Sequence, residues 1–293
     1  MVTFFQLLIH GIQLGSVYAL IALGYTMVYG IIRLINFAHG DFLMLGAFVG
    51  YFAITYLHLG FVPVMLISMV VVGIIGVLVE RIAYKPLRNK PRLSALITAI
   101  GVSIFIQNFL RAIPAIGPAP RPFPRLLPLV NYNVFGVTIS SIQIIMILLA
   151  CALMFMLHIL TTRTTIGRRM RAVANDKDAA AMMGINIDNT ISITFFIGAA
   201  LAAAGGILYA TTYPMIEVYM GSVLGLKAFT AAVLGGIGLM PGAMLGGLIL
   251  GIAEVFATSI NADLGYGISF IILIVILLVK PAGLLGKYSV EKV

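Results

Sequence analysis

Apolar residues run in long blocks, broken by short polar, charged or Pro-rich stretches. The blocks fall at about 5–30, 41–57, 62–80, 93–112, 139–161, 187–212, 223–238, 242–260 and 266–280. Most approach the ~20 apolar residues that a helix needs to cross a ~30 Å hydrocarbon layer. Lipid offers a peptide group no hydrogen-bond partner, so blocks of this length predict helices, which satisfy their backbone internally. The last three are short and Gly-rich, so one or two helices are expected to be broken or re-entrant. The expected fold is all-α: a polytopic transmembrane bundle of eight or nine spans, forming one domain over residues 1–293. Residues 113–138 break the pattern. Pro114, Pro118, Pro120, Pro122, Pro124 and Pro128 fix φ and remove backbone donors, which predicts an irregular surface loop.

Composition narrows the class. Hydrophobic residues make up 61% of the 293 positions and charged residues 9%, with a mean hydropathy of +1.13. Soluble domains carry about 25% charged residues, so lipid has to be the solvent here. No hydrophilic stretch is long enough for a water-soluble domain. The net charge of +9 would suggest nucleic acid in a soluble protein. Here the basic residues sit in short loops, which excludes that partner and speaks instead for orientation in a bilayer. Thirteen of the 18 lie in three clusters: Arg81, Lys85, Arg88, Lys90 and Arg92; Arg163, Arg168, Arg169, Arg171 and Lys177; Lys280, Lys287 and Lys292. The positive-inside rule assigns all three to the cytoplasm. The C-terminus is then cytoplasmic, while the N-terminus and the loop 113–138 lie outside.

Several chemistries are excluded. The single Cys151 allows no disulfide framework and no Cys-rich metal site. There is no phosphate-binding GxxxxGK[ST], no HExxH and no nucleophile–base pair. The chain is therefore expected to bind no cofactor or metal and to catalyse nothing itself. Its first residues, MVTFFQLLIHG, lack the basic start and cleavage site of a signal peptide and read as the first span.

Small residues recur four apart at Gly11/Gly15, Gly46/Gly50, Gly242/Gly246 and Gly247/Gly251, the spacing that lets helices pack closely. A dense Ala/Gly patch at 199–206 is a candidate face for a second membrane subunit. The loop at about 162–186 contains a short helix: Asp176 is placed to cap it, Asp178 suits its first turn, Ala179, Ala180, Met182 and Met183 favour helix, and Gly184 stops it. Two turns are too few to stand alone. The spacing leaves two readings open, docking on a partner through the methionines or lying on the membrane surface. Asn36, His39 and Asp41 cluster at the break between two apolar blocks, either as caps near the cytoplasmic surface or as part of a pathway or gate. Glu217, Lys227, Glu254 and Asp263 are read as isolated charges, mostly near the outer surface. Glu254 lies deepest and is the candidate pathway residue among them.

Asp178-Ala179-Ala180 followed by Gly184 resembles the EAA signature of ABC importer permeases, with Asp for Glu. The resemblance implies that this loop is the coupling helix that docks on an ATPase subunit. The Ile-x-Leu-Pro half of the signature is missing, since residue 194 is Thr, a degeneracy also found in permeases for branched-chain amino acids. The stretch from Gly15 to Gly50, with its Asn36-Phe37-Ala38-His39-Gly40 turn, is similar to the H-type subunit of that family; 225–247 and 280–286 extend the likeness over nearly the whole chain. The M-type stretch Gly-Gln-x-Ser-Leu-Gly-His is absent. The resemblance implies a bacterial inner-membrane permease that forms the path for branched-chain amino acids. Its implied partners are an M-type permease, two ATP-binding subunits carrying ATP and Mg, and a periplasmic binding protein. Urea, short amides or other amino acids are alternative substrates within the family. A proton- or sodium-coupled secondary transporter is the alternative outside it.

Overall fold

The computed structural model describes residues 2–88 and 90–286. Lys287 and Lys292 of the third basic cluster lie outside the described residues. The described chain folds as eleven helices: α1 (Val2–Ile32), α2 (His39–Leu57), α3 (Phe61–Val79), α4 (Arg92–Ala112), α5 (Ser141–Arg163), α6 (Thr165–Asn175), α7 (Lys177–Met182), α8 (Ile187–Thr212), α9 (Met220–Gly235), α10 (Met240–Ile260) and α11 (Ala262–Val279). Helix α3 continues through a π-helical turn, Glu80–Tyr84, and a 3-10 turn, Lys85–Leu87. Among the described residues, eight helices are long and apolar enough to cross a bilayer; α9 is shorter, with 16 residues. At 1.5 Å per residue α9 measures about 24 Å, less than the hydrocarbon layer.

Burial separates central helices from peripheral ones. The apolar windows of α8 and α1 are 83% and 72% buried, against 28% for α4 and 17% for α11. Ile97, Phe105, Ile274 and Leu278 point outward, as apolar side chains do where lipid replaces water. Glycines set how closely the central helices approach. A Cβ on Gly15 would stand 2.8 Å from the Leu248 Cα, and one on Gly11 would stand 2.8 Å from the Ile252 Cα. Since Gly251 packs on Gly15 and Gly247 on Ala19, α1 and α10 run antiparallel, backbone against backbone. Gly46 meets Ala203 and Gly76 meets Ala199 in the same way. The Ala/Gly patch is thus consumed within the chain: Ala199, Ala202, Ala203 and Ala204 are fully buried under α1, α2 and α3, which removes it as a face for a second subunit.

Two elements start inside the bundle. After α1 the chain leaves helix through Arg33, which holds a left-handed φ of 57°. It regains helix at His39, whose ring lies against Gly24 and Gly198, within α1 and α8 and away from their ends. Helix α9 likewise begins after the non-helical residues 213–219, and Gly221 and Gly225 press on Gly40. The N-termini of α2 and α9 therefore meet in the interior, with a Cβ on Gly225 only 2.8 Å from the Gly40 Cα.

The Pro-rich loop is more ordered than its sequence suggests. Residues Asn131–Val134 (β2) and Val137–Ser140 (β3) form an antiparallel hairpin, and Arg121–Pro122 (β1) pairs with Met215–Ile216 (β4). The hairpin begins only after the last proline, where Tyr132, Val134, Val137 and Ile139 restore strand-forming alternation. Gln6 fastens it to α1, donating to the Thr138 carbonyl (2.8 Å) and accepting from the Thr138 N–H (3.0 Å). The start of α1, the end of α8 and this loop share one face of the molecule. The opposite face carries the Glu80–Leu87 turns, α6 and α7.

Candidate functional site

On that opposite face, α6 and α7 fill the loop between α5 and α8. Thr164 accepts from the Gly167 N–H and starts α6. Sequence reading missed this helix, although Ile166, Met170 and Val173 are spaced for an inward stripe and Arg168, Arg169 and Arg171 interleave with them. Asp176 caps α7, accepting from the N–H groups of Asp178 (2.9 Å) and Ala179 (3.0 Å). Gly184, at φ +77°, ends it. The Gly184 N–H reaches the Ala181 carbonyl and the Ile185 N–H reaches that of Ala180, a Schellman closure. Ala180 is buried against the chain, whereas Met182 and Met183 are 83% and 82% exposed. Desolvation by burial pulls the Lys177 amine below its ordinary range, reinforced by the Arg88 and Arg33 charges. The capped helix thus presents two bare methionines on a basic surface.

Behind α7 a charged junction links α3 to α8. Glu80 is fully buried and is held by Arg88 and by the Ser192 hydroxyl (2.8 Å). Arg88 also bridges Asp188 on the first turn of α8, which Lys85 meets at 2.7 Å. Tyr84, on the π-helical turn, donates to Asn36 Oδ1 at 2.6 Å. One continuous set of contacts therefore runs from the segment after α7 to the break between α1 and α2.

That break places Asn36, His39 and Asp41 in the interior, each 1–3% exposed. Asn36 Oδ1 also accepts from the Ala38 N–H (3.0 Å), so it closes the turn into α2, as a cap would. Asp41 is no cap. It lies in the first turn of α2 and accepts from Gln107 on α4 (2.8 Å), whose amide also reaches Ser222 on α9 (2.7 Å). A carboxylate beside two inward helix N-termini is favoured by both dipoles. The cluster is thus interior, and Tyr84 joins it to the basic face.

Glu254 belongs to a different site. Its carboxylate accepts from Lys227 Nζ (2.6 Å) and Tyr18 Oη (3.0 Å). Lys227 and Glu254 are therefore not isolated charges: α9 and α10 run antiparallel, so residues 27 apart in sequence become neighbours. Opposite charges on adjacent apolar blocks were the available signal. The pair lines a cavity of about 540 Å³. The cavity is bordered by residues from the start of α1 and α11 and the end of α8 and α10, on the N-terminal face.

The family model described as branched-chain amino acid transport system / permease component matches residues 7–277. The chain is 44% identical to the high-affinity branched-chain amino acid transport system permease protein BraD of Pseudomonas aeruginosa, over 99% of this chain and 98% of that one. It is 43% identical to LivH of Escherichia coli K12, with the same coverage of each. A more distant relative, the autoinducer 2 import permease LsrC of Photorhabdus luminescens, is 32% identical over 43% of this chain and 37% of its own. No solved structure matches. With a family model covering most of its length and relatives similar from end to end, the chain belongs to the branched-chain amino acid transport system permease family.

Proposed function

We propose that this chain is the H-type half of an ABC importer and that its cargo is branched-chain, hydrophobic amino acids. The observation that carries the reading is the end-to-end likeness to BraD and LivH, whose names give that system. The remaining parts are supplied by other chains: an M-type permease, two ATP-binding subunits that hydrolyse ATP with Mg, and a periplasmic binding protein. The basic face is cytoplasmic by the positive-inside rule. The N-terminal face, with its hairpin and its cavity, then looks outward from the bacterial inner membrane.

In this reading α7 is the coupling helix. Asp176, Asp178, Ala179, Ala180 and Gly184 shape it, and Met182 and Met183 form the adaptable contact with the ATPase. ATP-driven movement of the partner pushes α7, and the Glu80–Arg88–Asp188 junction carries the displacement to the break at Asn36, His39 and Asp41. The test is reconstitution with the companion subunits and uptake assays with leucine, isoleucine, valine and urea. ATP-dependent uptake of the three amino acids is expected. Urea uptake alone would change the substrate, and uptake driven by a proton or sodium gradient without ATP would replace the mechanism.

A further inference from the structure

We propose that the cavity on the N-terminal face is a binding site for the zwitterionic head of an amino acid, with Lys227 and Glu254 as its two poles. The inference rests on the importer reading above and adds the site that this reading lacks.

The buried charges of the cavity are one cation and one anion, both less than a tenth exposed, while Glu217 and His10 line it from exposed positions. Lys227 Nζ stands 2.6 Å from Glu254 Oε1 and 5.0 Å from the centre of the Tyr266 ring. Tyr18 Oη donates to the other carboxylate oxygen at 3.0 Å, and Ser269 Oγ lies 3.5 Å from it. The carboxylate is thus held from α1 and α11, independently of the lysine. Ionisable groups at membrane depth are costly and mark pathways when they border a cavity.

This buried pair is poorly suited to an ion of single sign, because seating one would leave the opposite pole uncompensated. A zwitterion exchanges one ion pair for two: its carboxylate goes to Lys227 and its ammonium to Glu254, so every charge stays paired. The rest of the wall is mixed: Leu7, Leu14, Val223, Leu224 and Val255 give it an apolar side, and tyrosines, Thr258 and Ser259 give it a polar one. The apolar side offers a branched aliphatic side chain a surface to pack on. The volume of about 540 Å³ lies inside the range of small-molecule clefts, roughly 300–1,000 Å³. The competing role is a structural clasp joining α1, α9, α10 and α11, in which the charges merely hold helices together.

The two roles separate in the assembled transporter. The double variant Lys227→Met/Glu254→Leu keeps the volume and removes both poles, and such replacements often leave stability intact or raise it. A binding role requires leucine moved per ATP hydrolysed to fall at least about 10-fold in proteoliposomes, a discrimination well within what a built polar site provides. A ratio within twofold of wild type overturns the proposal.

A second measurement leaves the poles in place and so does not depend on the double variant folding. Val223→Cys, in a Cys151→Ser background, is labelled with a maleimide in the full complex. Leucine is expected to protect it at a concentration at least about 10-fold lower than isocaproate, which lacks the ammonium, or isoamylamine, which lacks the carboxylate. Equal protection by all three, or by none, overturns the site. Leucine uptake by the wild-type complex is measured first: its absence overturns the importer reading with the site, whereas its presence beside unaffected variants overturns the site alone.

Discussion

Gly40 shows how much a single residue carries. It sits in the first turn of α2 where α9 comes closest, and a Cβ there would run into the backbone of Gly221 and Gly225. Backbone cannot rotate aside as a side-chain tip can, so Gly40→Ala is expected to destabilise by at least about 1–3 kcal/mol, the range for overpacking. Gly101, on the outer side of α4, has nothing within 4 Å of an added Cβ, and Gly101→Ala is expected to be tolerated. Thermal unfolding of the two purified variants checks the contrast: a lower midpoint for the first and none for the second. The sequence already made Asn36-Phe37-Ala38-His39-Gly40 conspicuous. It did not tell that Gly40 is a contact point between two interior helix starts, because the contact joins residues about 180 positions apart and depends on where α9 begins.

At the scale of elements, local chemistry was legible and long-range pairing was not. The Asp176 cap and the Gly184 stop are visible in nine residues because both act on backbone groups within a turn or two. The Glu80–Arg88–Asp188 junction was invisible, since Arg88 reads simply as a loop charge until α8 is brought beside it. Two outcomes follow from these elements. Gly184→Val forces a β-branched residue to φ +77°, so α7 loses its closure. Transport and substrate-stimulated ATP hydrolysis in the reconstituted complex are then expected to fall together, while the spans still insert. Asp178→Ala removes only a first-turn carboxylate, about 0.3–1 kcal/mol, and is expected to cost far less. If Gly184→Val transports at the wild-type rate, α7 is not the coupling element. Arg88→Ala removes the main partner of a fully buried Glu80. A stranded buried carboxylate costs on the order of 3 kcal/mol, and Glu80→Gln in the same background is expected to recover much of it. Both are read as melting midpoints of the detergent-solubilised protein.

The whole molecule has two chemically unlike faces, and their assignment is the prediction that tests the architecture. Helix α1 runs from the hairpin face to the face of α6 and α7, α10 runs antiparallel to it, and α9, packed on α1, α2 and α10, carries the chain back from the end of α8 to the start of α10 although it is too short to cross by length. With eight long helices plus one short return, both ends of the 80–92 and 163–186 segments come to one side. The hairpin tip, where Phe135 is 98% exposed, comes to the other. Block lengths and loop charges were enough to read this plan, since both are properties of short stretches of chain. A broken or re-entrant helix was expected among the last three blocks, which include α9, but the interior start of α2 was not, because an apolar block does not reveal the depth at which it begins. In intact cells carrying single cysteines in a Cys151→Ser background, an impermeant thiol reagent is expected to label position 135 and leave positions 85 and 169 unlabelled until the membrane is permeabilised. Labelling of 85 and 169 on opposite sides would break the antiparallel order of α3 to α5. Labelling of both from outside, with 135 protected, would keep the fold and invert its orientation, placing the Lys227–Glu254 cavity on the cytoplasmic side.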